Sequence, residues 1–206
     1  MLDNKGFDLW ADGYDADVGI TDDNNDYPFA GYKNILGNIY RTIMAKPNAV
    51  VLDIGFGTGT LVAKLYENDC TIYGQDFSSR MIEIAQDKMP DAHLYEGDFS
   101  QGLVEPLKKQ SYDFIVATYS IHHLTDKQKI TLLKELLNHL NDEGKILIGD
   151  VAFENRDELD KCKKQCGNEW DDEEIYCVAD ELRKEFPKLS FDKISFCSGI
   201  LTITNK

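Results

Sequence analysis

The chain has 206 residues, 42% of them hydrophobic and 29% charged, enough for one α/β domain with its own core. Its 37 acidic side chains against 22 basic ones give a formal charge of −15, and such a field repels nucleic acid and anionic lipid surfaces. No apolar run long enough to cross a bilayer is present, and the opening Met1-Leu2-Asp3-Asn4-Lys5 lacks the basic-then-apolar pattern of a secretory leader, so a cytoplasmic protein is expected.

Residues 3–26 are rich in Asp, Asn and Gly, with Phe7, Trp10 and Tyr14 set among them. Residues 33–45 carry Ile35, Leu36, Ile39, Ile43 and Met44 at helical spacing, and Lys46-Pro47-Asn48 ends that helix. Residues 49–54 are a short apolar run that reads as a buried strand. The glycine-rich turn 55–59 follows, then a helix over 60–66, a second strand over 71–74, and a helix over 78–89 ended by Pro90. A short third strand covers 92–95 and a fourth 112–117. Thr125-Asp126-Lys127-Gln128 has the form of a capping box before a helix with Ile130, Leu133, Leu136, Leu137 and Leu140 on one face. Asn141-Asp142-Glu143-Gly144 reads as a turn, and 145–149 as the fifth strand. Residues 189–197 and 200–204 are two β-rich runs with only Ser198-Gly199 between them, a link that permits only an antiparallel hairpin.

Strands alternating with helices through short loops predict a doubly wound, mostly parallel sheet covered on both faces. In such sheets ligands bind at the carboxyl ends of the strands. There the first strand feeds Asp53-Ile54-Gly55-Phe56-Gly57-Thr58-Gly59-Thr60, and Asp76 closes the second strand, placed to accept hydrogen bonds from ribose hydroxyls. The spacing Gly55-x-Gly57-x-Gly59 is not the G-x-G-x-x-G of dinucleotide sites.

At this point the chain resembles the class I S-adenosylmethionine-dependent methyltransferases. The resemblance is carried by residues 51–59, by Gly74-Gln75-Asp76-Phe77-Ser78, and by Gly97-Asp98-Phe99, Tyr112-Asp113-Phe114-Ile115 and His122-His123-Leu124 in the family's order. It covers residues 46–153 well, and the closing hairpin by topology. It implies a Rossmann-like seven-stranded sheet in the order 3-2-1-4-5-7-6 with strand 7 antiparallel. The expected plan is a single domain over 1–206. It comprises an N-terminal cap (1–45), a cofactor-binding core (46–154), a substrate-side helical segment (155–187) and a closing β-hairpin (188–206).

The resemblance further implies S-adenosylmethionine as donor and S-adenosylhomocysteine as product. Gly55, Phe56, Gly57 and Gly59 would line the donor's methionine part, with Asp53 beneath them orienting its amino group. Asp76 would hold the ribose, Phe77 and Met81 would flank the adenine, and Asp98 would accept from the adenine amino group beside Phe99; a turn- or helix-capping role is the alternative for Asp98. Thr118 and Tyr119 would border the sulfonium. Trp10 and Tyr14 resemble the amino-terminal cap of small family members, which closes over the donor, and plain packing of these aromatics is the alternative.

Methyl transfer from a sulfonium is an in-line displacement, so proximity and orientation are the protein's main contribution. A general base is needed only where the acceptor keeps its proton at neutral pH. His122 and His123 are the candidates for that base, one facing the pocket and the other turned away; the alternative is that both hold the loop. In the 155–187 segment Leu159, Cys162, Tyr176, Val178, Leu182 and Phe186 suit helices, and Asp171-Asp172-Glu173-Glu174 reads as a solvated helix start, with a cation-binding patch as the alternative. The odd, scattered cysteines Cys70, Cys162, Cys166, Cys177 and Cys197 suit reduced thiols, and no metal is expected, since the Cys162/Cys166 pair lacks further ligands at suitable spacing. Nothing like Asn-Pro-Pro-Tyr follows the fourth strand, which argues against amino-group methylation of adenine or glutamine. With the acidic charge, this favours a small-molecule acceptor over nucleic acid. No sequence feature decides the oligomeric state. A nicotinamide oxidoreductase and a non-catalytic nucleotide-binding or interaction protein on the same fold remain alternatives.

Overall fold

The computed structural model describes residues 26–205. The expectations for Trp10 and Tyr14, and for most of the 1–45 cap, lie outside the described residues. The first described helix, α1 (Tyr32–Met44), buries Ile35, Ile39 and Ile43 along one stripe, as its spacing predicts. Then β1 (Val50–Ile54), α2 (Thr60–Tyr66), β2 (Thr71–Asp76), α3 (Ser79–Lys88), β3 (His93–Glu96) and β4 (Tyr112–Thr118) alternate. They are followed by α4 (Asp126–Leu137), β5 (Leu140–Phe153), α5 (Arg156–Cys166), β6 (Cys177–Val178), α6 (Ala179–Leu182), β7 (Ser190–Lys193) and β8 (Ser198–Thr204).

The strands lie in the order β3-β2-β1-β4-β5-β8-β7. The five from β3 to β5 are parallel. β8 runs antiparallel to β5 and β7 antiparallel to β8. This is the expected order with one addition, the two-residue β6, which pairs with Ala152 and Phe153 at the far end of β5. Alternate residues of the strands feed two cores. Val51, Val116 and Leu147 meet Ile35, Ile39 and Ile43 on one face; Leu52, Ile54, Ile115, Ile146 and Ile148 meet Leu132, Leu133 and Leu136 of α4 on the other. A sheet covered on both faces explains why its strands read as unbroken apolar runs.

Three local expectations are corrected. Residues 141–144 are not a turn before the fifth strand but an irregular part of β5. The pairing jumps from Tyr112–Leu140 to Phe114–Lys145, and the extra residues form a bulge in which Glu143 takes φ 65°. Asp113 holds it together: its carboxylate accepts from Asn141 Nδ2 (2.8 Å), Lys46 Nζ (2.6 Å) and the Val50 amide (2.9 Å). Second, Ser198-Gly199 is not the hairpin link; these residues begin β8 and the link is residues 194–197. Gly199 is small because the Phe191 ring lies over it, where a Cβ would come within 2.4 Å. Third, residues 171–174 form no helix.

Gly149 lets α1 lie close to β5: a Cβ there would sit 2.3 Å from Ile35 Cγ2 and 3.0 Å from Ile39 Cδ1. Gly37, on α1, has nothing within 4 Å of its Cβ position. We therefore expect Gly149→Ala to cost about 1–3 kcal/mol by overpacking, and Gly37→Ala to stabilise by up to about 1 kcal/mol through helix propensity. Urea unfolding of the two variants checks this; equal shifts of the two midpoints would contradict the packing of α1 on β5.

Candidate active site

The glycine turn grows out of the end of β1. Gly55 has φ 70°, and a Cβ on it would come within 2.5 Å of Ser120 Cβ, so both backbone and space demand glycine. Its amide donates to Gln75 O (2.8 Å), which ties the turn to β2. Asp76, at the end of β2, accepts from the Gly57 amide on Oδ2 (2.8 Å) and from the Ser78 amide on Oδ1 (3.0 Å). Ser78 caps α3 by accepting from the Met81 amide (3.1 Å), which sets Phe77 and Met81 beside the turn's partner strand.

Beneath the turn lies Asp53. Its side chain is 1% exposed, and Oδ1 has no hydrogen-bond partner. Burial first, and the nearby Asp76 charge second, push its carboxyl up to about 8. A buried acceptor without a donor is costly, and here it sits at a ligand-binding strand end.

The other expected residues fall as follows. Phe56 is buried with its ring against Gly74, so its side chain packs the sheet and only its backbone belongs to the turn. Gly59 is the left-handed N-cap of α2. Asp98 is exposed and caps the short turn Phe99–Gln101 by accepting from the Ser100 amide (2.8 Å), while Phe99 is buried against Gly55. The capping alternative for Asp98 is thus met. Thr118 ends β4 and Tyr119 follows it, and the Tyr119 ring stands between Phe29 and Tyr32, each with its ring centre 5.2 Å away.

A second cluster follows β4. The turn Ile121–His123 presents both histidines to one small cavity of about 50 Å³, lined also by Pro28, Phe29, Tyr119, Val151 and Glu174. The expectation that one histidine turns away is therefore corrected. His122 is buried, with Nδ1 2.8 Å from Asp150 Oδ1 of β5 and Nε2 3.4 Å from Glu174 Oε1. Burial alone would lower its proton affinity, but the charge and hydrogen bond of Asp150, then the charge of Glu174, hold it above the usual range. His123 is half-buried; burial, then the neighbouring His122, bring it down to about 4, so its ring is neutral at neutral pH. Glu174 Oε2 accepts from Tyr176 Oη (2.5 Å), Tyr176 bonds Tyr27 Oη, and Tyr27 accepts from the Asp171 amide (3.1 Å). Burial raises the Glu174 carboxyl despite His122 and Tyr176.

The fully buried Lys129 of α4 locks the cluster. Its ammonium donates to Leu124 O (2.8 Å) and to Ile175 O, while the Ile175 amide donates to His122 O (2.9 Å). Asp150, Glu174 and Tyr176 were not singled out as site residues, while Tyr27 belongs to the aromatic stretch of residues 27–32 that reads, like Trp10 and Tyr14, as substrate stacking or core packing. Asp150 carried a signal, a lone carboxylate inside the apolar run of residues 145–153. Glu174 carried only the signal of its acidic run as a whole, which does not single it out from Asp171, Asp172 and Glu173.

The comparisons agree with this geometry. Residues 51–144 match the family model of the methyltransferase domain. The chain is 39% identical over 151 residues to an uncharacterized methyltransferase of Anoxybacillus flavithermus, covering 73% of this chain and 68% of that protein. It is 33% identical over 183 residues to one of Alkaliphilus oremlandii, covering 89% and 81%. In fold it is similar to magnesium protoporphyrin IX methyltransferase from Synechocystis PCC 6803, solved with bound SAH, at a TM-score of 0.67 and 18% identity over 86% of this chain and 85% of that one. The chain belongs to the class I S-adenosylmethionine-dependent methyltransferases.

Asp53 gives a pH signature in donor-free protein. Its folded carboxyl titrates near 8 against about 3.9 unfolded, so its contribution to stability is present below the unfolded value and lost as pH rises towards 8. Asp53→Asn should leave stability unchanged near pH 4 and raise it at pH 7 by on the order of 4 kcal/mol. Denaturation of both proteins from pH 4 to 8 checks this; a gap that does not widen with pH would contradict it.

Proposed function

We propose that this methyltransferase passes a methyl group from S-adenosylmethionine to a small molecule that offers an oxygen, nitrogen or carbon nucleophile. The observation that carries the donor side is the partnerless Oδ1 of Asp53 under the glycine turn. A carboxyl so placed suits the amino group of an amino-acid-like ligand, which supplies the missing donor and the opposing charge. Gly55, Gly57 and Gly59 bring backbone close to that ligand, and the carboxylate of Asp76 at the end of β2 suits ribose hydroxyls. Phe77 after β2, Met81 in the first turn of α3 and Asp98 and Phe99 after β3 would flank the adenine, with Thr118 and Tyr119 towards the methyl group. The donor supplies an activated methyl group; the chain supplies orientation and a place for the acceptor's proton.

That place is the His122–Glu174 pair. Nε2 and Oε1 stand 3.4 Å apart, close enough to share one proton across the cavity. With the shared proton on His122 Nε2, steadied by Asp150 through Nδ1, Glu174 is the carboxylate that receives the acceptor's proton, and neutral His123 offers a hydrogen bond beside it. The cavity's size, its Glu174 wall and the charge of −15 support a compact neutral or cationic acceptor over a polyanion.

Calorimetry should show S-adenosylmethionine binding where NAD does not, and Asp76→Ala should weaken that binding by about 1–3 kcal/mol. Preferential binding of NAD would overturn the donor assignment. For the acceptor, a metabolite pool, RNA and protein fractions are incubated with methyl-labelled donor. Label should enter the small-molecule fraction, and His122→Asn should lower that turnover with donor affinity unchanged. Label confined to RNA or protein would overturn the small-molecule reading and leave methyl transfer standing.

A further inference from the structure

We propose that His122, His123 and Glu174 form a three-ligand site for a divalent transition-metal ion of the zinc class, with a fourth position open to the cavity these residues line. One nitrogen or oxygen from each lies within 4.8 Å of the others, the only such group of His, Cys, Asp and Glu among the described residues. The 3.4 Å from His122 Nε2 to Glu174 Oε1 is close to the edge of a tetrahedron with bonds of about 2.0–2.1 Å.

The surroundings are those of a ligand set. Asp150 Oδ1 takes the Nδ1 side of His122 at 2.8 Å and is itself held by the Val151 amide at 2.8 Å. That fixes the ring with Nε2 towards the cavity, the carboxylate–histidine arrangement that supports bound metals. Two imidazoles and one carboxylate suit zinc or iron(II), and are a poor set for magnesium or calcium, which want oxygen. The ligands need no folding step to assemble, because Lys129 and the Ile175–His122 backbone bond already join their two segments. The charge of Lys129 opposes a cation. It is nevertheless directed at two carbonyls and stands 3.5 Å from Asp126, while Asp150 and Glu174 face His122.

Binding displaces the proton shared by His122 and Glu174, and the proton leaves to solvent. If this cavity is the acceptor side, as the proposed function has it, the acceptor's heteroatom would take the open position and lose its proton more readily there. The ion would then take over the activating role of the His122–Glu174 pair.

The test uses the full chain, stripped with chelator and titrated with Zn²⁺ by calorimetry and with Co²⁺ by absorption. One ion per chain is expected, with visible cobalt bands of a four- or five-coordinate site and no near-ultraviolet thiolate band. His123→Ala and Glu174→Gln should each weaken binding more than tenfold, and Asp150→Asn by about 10–100-fold. The double variant Cys162→Ser/Cys166→Ser, whose sulfurs lie 3.8 Å apart, should bind as the parent does. Absence of stoichiometric binding, a thiolate band, or affinity unchanged in His123→Ala and Glu174→Gln would overturn the proposal. Should those variants misfold, the cobalt spectrum of the parent decides alone. S-adenosylhomocysteine titrated into the same samples reports the donor site separately, so its failure is distinguishable from failure of the metal site.

Discussion

The structure turns on a carboxyl group that the fold buries and leaves short of a hydrogen bond. Asp53 is the last but one residue of the central strand, within its buried part, and Oδ1 has no partner. The strands on either side, β2 and β4, fix its position through paired backbone. The turn above it needs glycine because Ser120 closes in from the next strand end. An isolated protein would be more stable with an amide there. That the chain keeps a carboxyl, at a cost in stability, fits a site shaped for an amino-bearing ligand.

The proposed acceptor side is built by a different device. β4 and β5 are neighbours, so the loop after β4 and the middle of β5 place His122 against Asp150. The chain then leaves the sheet through α5 and returns along residues 171–176, bringing Glu174 and Tyr176 to the same imidazole. Lys129, reaching from α4, holds that return by its carbonyls. The proposed donor and acceptor groups thus lie towards the carboxyl ends of neighbouring inner strands.

Much of this was legible in the sequence because it is local. Strand and helix periods, the glycine turn, Asp53 and Asp76 follow from residues near one another in the chain, and the strand order from the family resemblance those residues carry. The bulge at 141–144 was misread because turn-forming residues also suit a bulge, and only the pairing partner Asp113 distinguishes them. Ser198-Gly199 misled in the same way: Gly199 is small for the Phe191 ring, not for a turn. Glu174 was invisible because its neighbours Asp171, Asp172 and Glu173 are exposed carboxylates of the same kind. Its distinction lies in contacts with residues about fifty positions earlier in the chain.

The central claim is that the Asp53 carboxyl receives the donor's amino group. Its carboxyl titrates near 8 in the donor-free protein, so it carries a proton at neutral pH and must give it up to pair with an ammonium. S-adenosylmethionine titrated at pH 7 in two buffers of different ionisation enthalpy measures that proton directly. The account predicts release of about one proton per donor bound, abolished in Asp53→Asn. Tight binding with no proton release, or the same release from Asp53→Asn, would contradict it.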